Sequence, residues 1–148
     1  MEGREQQIKV RGAKFEDIER LCEIYSQAFS ETTPMVKHWW RIMENPDITY
    51  KVATLDEKIL GVASLITIDK ILRSGSRMGL IEDVAVSPES RGLGLGKLLI
   101  EDLLALAEEK GCYKVVLNCS DDNVPFYEKC GMYKAENQMR WDRPKKQK

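Results

Sequence analysis

The stretch from Leu80 to Cys119 restricts the fold more than any other part of the chain. It begins with LIEDVAV, an apolar run holding two adjacent acids, and passes into RGLGLGK, residues 91–97, where three glycines alternate before a lysine. Leu95, Leu98, Leu99, Leu103, Leu106 and Ala107 then recur at helical spacing until Gly111, which is placed to stop the helix. KVVLNC follows as a nearly continuous apolar run, the pattern of a strand buried on both faces. A strand, a helix and a strand in succession form a crossover, and a crossover requires the two strands to lie parallel. An α/β architecture follows.

The remaining segments fit around that unit. IKVRGA, residues 8–13, alternates as a short strand, and FEDIERLCEIYSQAF carries an amphipathic helical pattern through Ile18, Leu21, Cys22, Tyr25, Ala28 and Phe29. Pro34 is placed to start a second helix bearing Val36, Trp39, Trp40 and Met43; the two tryptophans read as packing or as a dimer surface. TYKVATL and ILGVASLITID are expected as a hairpin turning at Asp56-Glu57-Lys58, with RSGSRMG as a loop. NVPFYEKCG reads as a short helix ending at Gly131, and KAENQMRW as a final strand. The expected order is βααβββαβαβ, in one domain covering residues 1–148 with short polar ends.

Composition narrows the class of function. A chain of 148 residues, 43% apolar and 32% charged, is of ordinary globular make-up. A net charge of -1 gives no basis for binding nucleic acid, which needs a broad basic surface. MEGREQQ lacks the pattern of a signal peptide, no apolar run reaches membrane-spanning length, and the final Lys-Gln-Lys is not a peroxisomal address, so the cytoplasm is the expected location. Cys22, Cys112, Cys119 and Cys130 fall outside CxxC spacing and are expected as reduced, mostly buried thiols. With His38 the one histidine, no metal site is expected.

The glycine run excludes two familiar loops. A phosphate-cradling Walker loop needs four residues between its glycines and Ser or Thr after the lysine, where this chain has Leu98. The dinucleotide fingerprint needs a third glycine where Lys97 stands. What remains is general: a helix start has unpaired N–H groups and a positive dipole end, and glycines let an anion come close. A plain tight turn explains the glycines equally well.

Arg-x-x-Gly-x-Gly after a strand, with the leucine-rich helix, the next strand and NVPFYEKCG beyond, resembles the GNAT superfamily of acetyl-CoA-dependent N-acyltransferases. IEDVAV, RGLGLGKLLIEDL, GCYKVVLNC and NVPFYEKCGM, in that order, are similar to the members acting on an amino-sugar phosphate, glucosamine 6-phosphate. The resemblance implies a mixed sheet with a splayed parallel strand pair flanked by helices, and a homodimer in which the C-terminal strand helps build the partner's site. It implies that Arg91, Gly92, Leu93, Gly94, Leu95, Gly96 and Lys97 carry the pyrophosphate of coenzyme A. It further implies that Val84, Ala85 and Val86 pair with the pantetheine arm, the Val84 N–H meeting the thioester carbonyl, and that Asn123 lies against the cofactor.

Acetyl transfer to an amine needs a neutral amine, donors for the carbonyl oxygen, and a stabilised leaving thiolate. Tyr127 reads by spacing as a core residue beside Phe126, and the resemblance makes it the proton donor to the thiolate. Glu82 and Asp83, adjacent on a strand, are expected on opposite faces; one solvated acid and one paired acid is the plain reading, and substrate binding by both is the implied one. Asn118 departs from the family, which has an acid there. An amide is no general base, so either its main-chain carbonyl orients the amine or water linked to Glu82 or Asp83 takes the proton. Lys70, Arg73 and Lys114 match positions around substrate, Arg73 standing where His is frequent, although exposed cations are most often merely solvated. Arg140 and Arg143 are alternatives for the phosphate, and Thr32 or Thr33 for the site's first loop. Asn123 also suits a helix cap, and Cys119 and Cys130 read as packing. Another amine as substrate, such as a polyamine, an aminoglycoside or a protein N-terminus, or a non-catalytic acyl-CoA-binding module, are the alternatives.

Overall fold

Alternation in the sequence becomes two differently covered faces of one sheet. The structure, a computed structural model, describes residue 3 and residues 5–29 and 36–145. These belong to two compact units, Met1–Leu117 and Asn118–Lys148. In the first, β1 (Ile8–Gly12), β2 (Ile48–Leu55), β3 (Lys58–Asp69), β4 (Arg77–Val86) and β5 (Cys112–Val116) form a sheet in that spatial order. The first three pairings are antiparallel and β4–β5 is parallel, as the crossover requires. Helix α1 (Ile18–Ala28), after a 3₁₀ turn at Phe15–Asp17, and α2 (Val36–Glu44) pack on the sheet; α3 (Leu95–Glu109) is the crossover helix.

Adjacent residues of β2 show the division. Val52 joins Leu21 and Ile24 of α1, Trp39 of α2, and Ile59, Val62 and Ala85 in one buried cluster. Its neighbour Ala53 packs instead with Leu60 and Leu95 of α3, as period-2 geometry demands. Leu95, Leu99, Ile100 and Leu103 are fully buried, each contributing about 1.5–3 kcal/mol by leaving water. Trp39 is buried with its indole N–H donating to the Phe15 carbonyl at 2.9 Å, while Trp40 is exposed, edge-on to Phe15.

Several expectations need correction. The hairpin turn is two residues, Asp56 and Glu57, both with positive φ (47° and 72°), and Lys58 already belongs to β3. Such paired left-handed residues match the twist of a two-residue hairpin. The segment RSGSRMG is loop only through Ser76, since β4 begins at Arg77. The strand expected as KVVLNC is Cys112–Val116, and none of it is fully buried. Among the described residues it is the edge strand of the sheet, paired with Arg77–Leu80. Gly79 permits that contact: a Cβ there would lie 3.0 Å from Leu65 Cδ1 and 3.2 Å from Val115 Cγ2.

The second unit holds a 3₁₀ turn at Asp121–Asn123, α4 (Val124–Lys129) and a tail without regular structure over its described residues. Gly131 ends the helix with φ 91°. No strand forms over KAENQMRW, because an extended segment becomes a strand only beside a partner, and this unit's described residues offer none. The four cysteines are free thiols, yet only Cys130 is buried; Cys22 and Cys112 are half-buried and Cys119 is exposed. Among the described residues, no helix is long and apolar enough to cross a membrane, and no three or more His, Cys, Asp or Glu gather where a metal ion would be held.

Candidate active site

The acids of IEDVAV lie where β4 stops behaving as a regular strand. Its ladder to β3 runs through Ile81↔Leu65 and Glu82↔Ser64, then resumes at Ala85↔Val62. Asp83 and Val84 together therefore oppose Ala63, an extra residue that makes a β-bulge. Asp83 sits at φ 52°, in the left-handed region that aspartate tolerates better than most residues. The bulge changes the phase of the strand. Ile81 is opposite Leu65 and Ala85 is opposite Val62, and residues 62 and 65 point to opposite faces.

Simple alternation had placed Glu82 and Asp83 on opposite faces; the bulge breaks that rule at Asp83. The carboxylates sense each other: burial first, then the charge of Asp83, raises the Glu82 pKa above its ordinary value of 4.5. Glu82 lies opposite Ser64, whose hydroxyl donates to the Glu82 carbonyl at 3.0 Å. Tyr25 of α1 donates its hydroxyl to the Asp83 carbonyl at 2.8 Å. Tyr50, opposite Ser64 on β2, has its pKa raised by burial and then by Asp83.

A raised carboxyl pKa has a definite sign for stability. The folded chain holds the Glu82 proton more tightly than the unfolded chain. The group therefore costs nothing below its unfolded value, and costs stability once pH exceeds its folded value. Glu82→Gln should raise Tm near pH 7 and leave it unchanged near pH 4. Thermal melts at the two pH values check this; an equal gain at both contradicts it.

The parallel ladder ends at Leu80↔Val116, so among the described residues the β5-facing edge of β4 has no strand partner from Ile81 to Val86. Such an edge presents N–H and C=O groups to any extended, amide-bearing chain. Ala85 is itself buried in the α1 cluster, so at that position only the backbone is on offer. Val86 lies opposite Gly61.

At the start of α3, Gly92 and Gly94 have φ 85° and 75°, and a Cβ on either would meet nothing within 4 Å. The glycines are thus required by backbone conformation and leave open space in front of the loop. Leu98 N–H makes the first helical bond, to Gly94 O at 3.2 Å. The N–H groups of Leu95, Gly96 and Lys97 precede it, in the turn where an α-helix has no carbonyl for them. Leu95 is buried and anchors the turn; Arg91, Leu93 and Lys97 are exposed, Lys97 pairing with Glu101 at 3.7 Å. A helix start of this kind offers N–H groups and a positive dipole end that suit an anion.

Of the cations matched to substrate, Arg73 and Lys114 come together. Arg73 lies over the Tyr113 ring at 4.7 Å and Lys114 at 5.6 Å. Two positive groups beside one aromatic ring favour an anion nearby. Arg73 and Ser74 have φ 55° and 60°, so this loop is a strained bend. Lys70 is half-buried where β3 has just ended. Thr32 and Thr33 lie outside the described residues.

In the second unit, burial and then Cys119 and Cys130 push the Tyr127 pKa up to about 12. Its ring meets Phe126 edge-on at 4.9 Å. Asn123 stands at the N-cap position of α4, but its side chain makes no capping hydrogen bond, so the cap reading fails. Asn118 is exposed. Arg140 pairs with Asp142 at 2.8 Å, so exposed a contact that it holds the arginine weakly; Arg143 is exposed too.

Four residues here had no sequence signal of function. Tyr25 reads as one more apolar position of α1, Tyr50 and Ser64 as strand residues, and Tyr113 as part of β5. The available hint was the tyrosine hydroxyl itself, which seeks a partner when its ring is buried.

A bulge at Asp83 beside Glu82, the edge of β4 next to it and a glycine-led helix start thus lie on one mixed sheet. The chain belongs to the acetyltransferase (GNAT) family, whose model matches residues 15–132 and whose acyl donor is acetyl-CoA. It is 52% identical over 85 residues to a glucosamine 6-phosphate N-acetyltransferase of Trypanosoma brucei brucei, covering 57% of this chain. The matched stretch spans 58% of that relative's own length. It is 32% identical over 133 residues to glucosamine 6-phosphate N-acetyltransferase 1 of Dictyostelium discoideum, covering 83% of this chain and 85% of the relative. The crystal structure of the Arabidopsis thaliana glucosamine-6-phosphate N-acetyltransferase superposes with a TM-score of 0.82 at 32% identity, covering 92% of this chain and 98% of that one.

Proposed function

We propose that the chain transfers acetyl from acetyl-CoA to the amine of D-glucosamine 6-phosphate, directly in a ternary complex, giving N-acetyl-D-glucosamine 6-phosphate and CoA. The observation that carries this reading is the acid-bearing bulge at the open edge of β4, in a chain 52% identical over 85 residues to an enzyme named for that reaction. The chain is read as one acetyltransferase domain.

From the first unit, the glycine loop holds the pyrophosphate and the free edge at Val84, Ala85 and Val86 pairs with the pantetheine amides. Val84 N–H donates to the thioester oxygen as it becomes negative. Glu82 and Asp83 bind the amino sugar, with Asp83 nearer the amine. Arg73 and Lys114, with Lys70, meet the phosphate. From the second unit, Tyr127 gives its proton to the departing thiolate as the C–S bond breaks and the C–N bond forms, and Asn123 lies against the cofactor. The amine's proton leaves through water to Glu82, whose raised pKa makes it a better acceptor than an ordinary carboxylate. Asn118 acts through its main-chain carbonyl, which orients the amine.

Thiol release from acetyl-CoA, measured with a panel of amines, tests the reading. Release with glucosamine 6-phosphate and little with polyamines or aminoglycosides is expected; none with the sugar phosphate rejects it. Asn118→Asp should raise kcat severalfold if a carboxylate at this position takes the proton more directly than water does. Unchanged kcat assigns the position to its carbonyl alone.

The tail supports a homodimer. Tyr133, Met139 and Trp141 are 84%, 90% and 78% exposed in a segment that, among the described residues, forms no helix or strand. A second copy supplies what such a segment lacks. Trp141→Glu should shift the protein from dimer to monomer in sedimentation; a monomeric wild type contradicts the assembly.

A further inference from the structure

The bond from Tyr25 to the β4 bulge does more than steady it. The peptide joining Asp83 to Val84 is trans, so its carbonyl and its N–H lie at opposite ends of one rigid plane. Whatever fixes the carbonyl aims the N–H. The β3 ladder passes from Ser64↔Glu82 to Val62↔Ala85 and leaves this plane outside its register. Tyr25 supplies the missing constraint, its hydroxyl 2.8 Å from the Asp83 carbonyl. The preceding carbonyl, of Glu82, is held by Ser64 at 3.0 Å, so both peptides of the bulge are tethered.

We infer that Tyr25 is a positioning residue for acyl transfer: by holding the Asp83 carbonyl, its hydroxyl aims and polarises the Val84 N–H that meets the thioester oxygen. The inference rests on the reading of Val84 as the carbonyl donor. An O–H bonded to an amide oxygen draws electron density from the amide nitrogen and makes its N–H a stronger donor. Tyr25 is suited to the task. It stands on α1, which is fixed to the sheet by the fully buried Leu21 and Ile24, and its ring packs on Phe29 at 5.9 Å. Burial, then Tyr50 and Asp83, raises its pKa, so the hydroxyl keeps the proton it donates. A tyrosine that merely satisfies its own hydroxyl would support folding and leave the acyl carbonyl unaffected.

Infrared difference spectra of [1-¹³C]acetyl-CoA bound to the full chain, without amine, separate the two roles. The thioester carbonyl stretch should move to lower frequency on binding to the wild type. Tyr25→Phe should return it toward the buffer value and lower kcat on the order of tenfold, with KM for acetyl-CoA little changed. 3-Fluorotyrosine at position 25, a stronger donor of nearly the same shape, should move it further down, and decides the matter if the phenylalanine variant does not fold. A wild-type frequency in Tyr25→Phe, or one unmoved by the fluorotyrosine, overturns the inference. An unshifted carbonyl in the wild type rejects Val84 as donor and the inference with it. Because no amine is present, a wrong assignment of the sugar substrate would appear only in the thiol-release panel and leave this result intact.

Discussion

An ester in place of the amide between Asp83 and Val84 should slow acetyl transfer by about 10²–10³-fold, the usual effect of removing one well-aimed oxyanion donor. The substitution, made by semisynthesis, removes the N–H and keeps both side chains. Ordinary mutagenesis cannot ask this question, because the group at issue is main chain. The position also tolerates the change: residues 83 and 84 stand outside the β3 ladder register and beyond the end of the β5 ladder, so the ester breaks no paired strand. Acetyl-CoA affinity should fall much less than kcat, since the donor acts on charge that develops only in the transition state. Single-turnover rates beside equilibrium binding of CoA measure the two effects; a kcat within threefold of the wild type would remove Val84 from the mechanism.

Tyr127→Phe should lower kcat by at least tenfold while acetyl-CoA binding is largely kept. The ring still fills its place against Phe126, so the loss reports the hydroxyl rather than packing. A thiolate leaving into a partly buried site needs a proton close by, and Tyr127 retains one, its pKa being pushed up to about 12 by burial and by Cys119 and Cys130. The same shift fixes the pH behaviour. An acid with so high a pKa stays protonated through the neutral and mildly alkaline range, so kcat should show no alkaline limb from Tyr127 until near pH 12. A variant that turns over normally would leave the thiolate to water and make Tyr127 a packing residue.

The crossover was legible because it is written in period: apolar runs, three glycines and a leucine-rich helix leave little choice of topology. The acids of β4 and the glycine loop stand out in the sequence as polar or flexible residues set between apolar runs. The bulge does not. Nothing in LIEDVAV marks where β3 and β4 lose register, because register depends on a strand some twenty residues away. Tyr25, Ser64 and Tyr113 escaped notice since their roles exist only across elements. The tail misled for the opposite reason: KAENQMRW alternates as a strand would, but alternation does not supply a neighbour to bond with.

The change of phase at Asp83 has a consequence for how this family can diverge. Before it Ile81 lies opposite Leu65, and after it Ala85 lies opposite Val62 on the other face, within the cluster that α1 covers. Deleting the extra residue would straighten the strand only by moving Ala85 and Val86 into each other's environments. Descendants that abandon catalysis are therefore expected to retain the kink, since losing it means rebuilding both cores at once. Chemistry can drift by changing which acids and cations surround the bend, while the bend itself is inherited as a matter of folding.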